Sequence, residues 1–162
     1  MSRALALLLL LAACSSGGSR PGTSGGVLCP PADTRDCQSV QASWTRLDVC
    51  LQPGAAVRDL DTVLEQAEKA AASWTTLRSE PLPHIDAILV AGVPGARIAP
   101  SAAGVTCSTR YVRVGEVYLA GGHETLRHEL VHVLCLLGRP RGIPCATVEH
   151  PGSVDLGGRP IN

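Results

Sequence analysis

Three side chains in the stretch His128-Glu129-Leu130-Val131-His132 could carry out chemistry together. In a helix, residues four apart project from one face, a turn from each other. Two imidazoles so placed can bind one Zn²⁺, each at about 2.0–2.1 Å. Glu129 follows the first imidazole and is angled toward a metal-activated water without being a ligand itself. A carboxylate there can take the water's proton during attack on a carbonyl. The plain alternative is a surface helix with two solvated histidines. Against it stand Leu126, Leu130, Val133, Leu134, Leu136 and Leu137. A polar His-Glu-His set in so apolar a helix needs partners for its polar groups. The spacing argues for zinc more directly than for catalysis.

Such a site needs a helix and something to hold it. Helical periodicity covers about Glu124 to Leu137, and Gly138 is expected to close the helix as a left-handed C-cap. Ahead of it, Ala120-Gly121-Gly122 reads as a turn. The clearest helix runs from about Ala55 to Arg78, with Val57, Leu60, Val63 or Leu64, Ala67, Ala71, Trp74 and Leu77 or Arg78 at helical spacing and many alanines. It is expected to be a packing helix. Pro81 and Pro83 end it, and His84–Val90 reads as a strand. Val105–Val114 reads as a second strand, and Glu116–Leu119 as a third after Gly115. Residues 27–54, with three cysteines and several prolines, read as an irregular stapled segment with one helical turn near Gln38 to Leu51. Arg139 to Asn162 reads as an irregular tail. These readings describe an α+β domain with a packing helix and a short sheet over the metal-binding helix.

The first 26 residues read as something other than fold. A short positive start and the Leu/Ala run from Ala4 to Ala13 fit a signal peptide, since the run is too short to span a bilayer. Leu11-Ala12-Ala13-Cys14 resembles a bacterial lipobox, which implies lipidation of Cys14, with residues 1–13 removed. Ser15 in the next position implies the outer membrane rather than inner-membrane retention. Residues 14–26 are a Gly/Ser-rich flexible tether, which leaves 27–162 as one domain. Six cysteines then remain: Cys29, Cys37, Cys50, Cys107, Cys135 and Cys145. An even number in an exported domain reads as a disulfide framework, though fifteen pairings are open. A net charge of zero and the absence of Phe give no case for nucleic acid. A monomer tethered to a membrane is expected.

The strand, Gly-rich turn and His128–His132 helix resemble the zincin metallopeptidases over about residues 84–150. In those proteins the metal-binding helix lies under a sheet whose edge strand aligns the peptide. The resemblance implies a zincin-like domain with Zn²⁺ as cofactor, a peptide or protein substrate, His128 and His132 as ligands, and Glu129 as general base. It also implies a third protein ligand, for which the family patterns do not fit: Cys135 and Gly138 stand where metzincins have Gly and His. Glu149, His150 and Asp155 are the local candidates, and His150 is preferred because Pro151-Gly152 would hold a turn behind it. A Cys135–Cys145 disulfide would pin the returning tail near the ligand face, whereas a zinc-ligating Cys135 thiolate suits an oxidising compartment poorly. Tyr111 and Tyr118 are candidates for stabilising an oxyanion, or are half-buried sheet residues. His123 is expected at the helix start, and His84 has no partner in sequence. The competing function is a non-catalytic envelope lipoprotein with a structural or vestigial zinc site.

Overall fold

A computed structural model describes residues 28–78, 81–100, 102–121 and 123–138. Its elements are β1 (Cys37–Gln41), β2 (Arg46–Leu51), α1 (Leu60–Arg78), β3 (Ala87–Val93), β4 (Gly104–Ser108), β5 (Tyr111–Gly115), a 3-10 turn (Glu116–Leu119) and α2 (Thr125–Gly138). The strands form one mixed sheet in the order β1-β2-β3-β5-β4. β2, β3 and β5 run parallel at its centre, while β1 and β4 pair antiparallel at its two edges. The fold is α+β, as expected.

Side chains alternate across a strand, so register sorts them onto two faces. Leu47 pairs with Ile88, Val49 with Val90, and Val90 with Val112. All five are fully buried, as is Val114. Val63, Ala67, Ala70 and Trp74 of α1 and Leu126, Leu130, Val133 and Leu134 of α2 pack into the same cluster. Both helices therefore cover this one face. The other face carries Tyr111 and Arg113, which the N-terminal segment meets: Tyr111 donates its hydroxyl to the Pro30 carbonyl at 3.2 Å, and the Arg113 guanidinium donates to the Leu28 carbonyl. Cys29–Cys107 fastens that segment to β4. Cys37–Cys50 joins residues directly opposite each other in the β1–β2 ladder. Cys135 is also disulfide-bonded. Three bonded sites of this kind belong to an oxidising, non-cytoplasmic setting. Among the described residues, no helix is long and apolar enough to cross a membrane.

Several expectations are corrected. Residues 37–51 form a hairpin, not a helical turn in an irregular stretch. Its loop is held from α1: Glu68 accepts from the Ser43 N–H and hydroxyl at 2.6 and 2.7 Å, and buried Trp44 donates its indole N–H to the Ala67 carbonyl. α1 starts at Leu60, five residues later than expected. Asp59 caps it, accepting from the Asp61 and Thr62 amides and the Thr62 hydroxyl. The Ala56 and Val57 amides bond instead to the Glu116 carboxylate, which also takes the Gly95 amide. Those three amides hold the Glu116 carboxyl below its usual titration range. Glu116–Leu119 is a 3-10 turn rather than a third strand, and Val105–Val114 is two antiparallel strands rather than one.

Candidate metal centre

α2 is placed by what it buries. Leu126, Leu130, Val133 and Leu134 recur every three or four residues and have no exposed surface. Gly121, at φ +101°, makes the turn that precedes the helix. Gln66, buried on α1, spans the entry: its amide donates to the Tyr118 carbonyl at 2.9 Å, and its oxygen accepts the Arg127 N–H at 3.3 Å. Arg127 N–H is one of the first amides of α2, so Gln66 satisfies a helix-end donor from a neighbouring helix. Arg127 further contacts Ser73 at 3.1 Å and pairs with Glu124 at 2.8 Å. Lys69, its ammonium held above the usual value first by Glu65, lies 3.7 Å from Glu124.

This packing leaves His128 and His132 half-buried on the remaining face. Their Nε2 atoms approach to 3.0 Å, with ring centroids 4.6 Å apart and planes at 87°. Tetrahedral zinc with bonds of about 2.0–2.1 Å separates two ligand nitrogens by about 3.3 Å. A shift of a few tenths of an ångström takes one arrangement to the other. The two imidazoles fit a divalent ion as a pair, as the i, i+4 spacing leads one to expect.

Glu129, 6% exposed, points to β4. Thr106 Oγ1 lies 2.8 Å from its Oε2 and 2.9 Å from its main-chain carbonyl oxygen. Gly104 lies beside the carboxyl; a Cβ there would stand 2.8 Å from Glu129 Cγ and Oε1. A cleft of about 600 Å³ opens at this point. Ala102, Ala103 and Gly104 form one side, with Tyr118, His123, Glu124, Thr125, Arg127, His128 and Glu129 around the rest.

The remaining sequence candidates divide sharply. Tyr118 lines the cleft, its ring 5.8 Å from that of His123. Tyr111 does not, since it faces the N-terminal segment on the other side of the sheet. Burial pushes its phenol above the usual value. His123 stands just ahead of α2 and is exposed. His84 is exposed, 3.9 Å from Asp86. Cys135 is a disulfide sulfur and not a zinc thiolate.

Glu149, His150, Asp155, Cys14 and Cys145 lie outside the described residues, as do the stretches 1–13 and 14–26 read from sequence as signal peptide and tether. Among the described residues, no three His, Cys, Asp or Glu side chains gather as a metal-binding group. Sequence reasoning missed Gly104, Thr106 and Gln66. Gln66 had left a trace, a polar residue beside the apolar stripe of Val63, Ala67 and Ala70. No family model matches the chain, and no curated protein or solved structure matches it either.

Proposed function

We propose that this chain is a zinc-dependent peptidase of the zincin type, tethered to the cell envelope by lipid on Cys14. The observation that carries the reading is the meeting of the His128 and His132 Nε2 atoms, with His128 and the buried Glu129 lining an open cleft. His128 and His132 would hold Zn²⁺, with His150 as third ligand. Zinc bound there supplies a Lewis acid that polarises the scissile carbonyl and acidifies a water. The Glu129 carboxylate takes the proton of the attacking water and returns it to the departing amine nitrogen. β4 ends the sheet, so one row of its amides and carbonyls meets no described strand. An extended peptide can pair with such an edge. The reading therefore takes unfolded or extended peptide segments as substrate.

In this reading Cys145 pairs with Cys135, which lies three residues after His132. Five residues then separate Cys145 from His150, a reach of up to about 17 Å. That is ample for a ring on the returning tail to reach the histidine pair. With Ser15 after the lipidated cysteine, the reading places the protein at the outer membrane.

The test is metal analysis of the purified protein together with cleavage of an unstructured peptide mixture by wild type and Glu129→Gln. Stoichiometric zinc, with cleavage lost in the variant, supports the peptidase. Zinc without dependence on Glu129 leaves a structural zinc site in a non-catalytic lipoprotein. No zinc at all removes both readings.

A further inference from the structure

We propose that Thr106 and Gly104 form a cradle on β4 that fixes the Glu129 carboxyl in one orientation, with Thr106 as a positioning residue for the hydrolysis assigned to this site. The proposal rests on the peptidase reading and extends it to residues that touch neither metal nor peptide carbonyl. Gly104 pairs with Val114 and Thr106 with Val112 in the ladder, so both face α2. The Thr106 hydroxyl has one proton and two acceptors, Glu129 Oε2 at 2.8 Å and the Glu129 carbonyl oxygen at 2.9 Å. Both acceptors belong to the same residue, so the hydroxyl is tied to Glu129 whichever it serves.

Gly104 supplies space. Its φ is not in the left-handed region, so conformation does not require glycine here. The neighbours do: a Cβ would meet Glu129 Cγ and Oε1 at 2.8 Å and Thr125 Cγ2 at 3.0 Å. A glutamate side chain has three rotatable bonds, and a base displaced by about 1 Å can lose on the order of 100-fold in rate. The strand whose outer edge would align the peptide therefore also aligns the base, through its inner face. Cys107, tied to Cys29, anchors that strand one residue from Thr106.

The test compares Thr106→Val, Thr106→Ser and Gly104→Ala in the purified protein, with zinc content, melting temperature, kcat and KM measured for each. Thr106→Val keeps the β-branched shape and removes the hydroxyl. Its zinc content is expected to be unchanged and its kcat to fall roughly 10- to 100-fold, with KM within about twofold. Thr106→Ser restores kcat to within a few-fold. Gly104→Ala lowers kcat by displacing the carboxyl, a shift that a flexible side chain can make without unfolding the domain.

A thermal double-variant cycle of Thr106→Val with Glu129→Ala reads the contact without any turnover. The two losses in melting temperature should be less than additive. Full additivity, or a Thr106→Val enzyme with wild-type kcat where Glu129→Gln is dead, overturns the cradle and leaves the peptidase standing. A wild-type protein with neither zinc nor cleavage overturns both.

Discussion

Gly138→Ala, at the last residue of α2, sets two opposing effects against each other. The backbone at Gly138 is not left-handed, so alanine fits the main chain there. By propensity alone it would strengthen the helix by at most about 1 kcal/mol, and by less at a helix end. The added methyl, however, would stand 2.3 and 2.5 Å from Cη2 and Cζ2 of Trp74. Carbon atoms in contact normally sit about 3.5–4.0 Å apart, so the overlap exceeds about 1 Å. Trp74 has no exposed surface and its ring cannot swing into solvent. Overpacking of this kind costs about 1–3 kcal/mol. The clash wins, and a net loss of about 1–2 kcal/mol is expected. At a few °C per kcal/mol for a domain of this size, differential scanning calorimetry should show a lowered Tm. Urea unfolding at 25 °C should show the same loss at an unchanged m-value. An unchanged or raised Tm would refute the reasoning, because it would mean that the end of α2 yields freely and that Trp74 does not fix it.

The two mapped disulfides should differ in worth. Cys29–Cys107 spans 78 residues and Cys37–Cys50 spans 13. Chain entropy gives about 4.5 and about 3 kcal/mol respectively, so a Cys29→Ser/Cys107→Ser variant should melt below Cys37→Ser/Cys50→Ser; the reverse order refutes the estimate. Acid should destabilise the fold. Arg35 holds Asp33 at about 2, Arg46 lowers Asp48, the Thr62 hydroxyl lowers Asp59, and the Gly95, Ala56 and Val57 amides lower Glu116. Each binds its proton less readily folded than unfolded. The stability they contribute is complete above the unfolded values near about 4 and is lost as pH falls through the folded ones. Glu116→Gln should flatten that decline in an acid titration followed by circular dichroism, and an unaltered profile counts against the clamp. Zinc at about 100 times its Kd should stabilise the protein by about 2.7 kcal/mol. A chelator should reverse the shift and His132→Ala should abolish it; an equal shift in that variant would place the metal elsewhere.

How far the sequence reached differs from element to element. Local periodicity placed α2 within a residue at each end and brought His128 and His132 to one face, because helix geometry depends only on spacing. The alanine-rich helix was legible for the same reason, but its start was not. The Ala56 and Val57 amides are claimed by Glu116, about sixty positions away. The hairpin at Cys37–Leu51 was hidden because it lies in a cysteine-rich stretch with prolines on both sides, while its stability comes from pairing with β3 and from Glu68.

By itself, then, the sequence determined what one turn of helix can determine: two imidazoles and a carboxylate at fixed angular offsets, on an otherwise apolar helix. Only the tertiary structure decided where that carboxylate points. The Gly104–Thr106 cradle and the Gln66 brace come from residues 23 to 61 positions distant, brought in by sheet register and helix packing. Gly138 shows the same division. Its sequence position suggested a cap, and the packing shows it as the space that Trp74 needs. Spacing along one element is local geometry and can be read from a chain. Which element faces which is set by the shared core, and that exists only once the chain is folded.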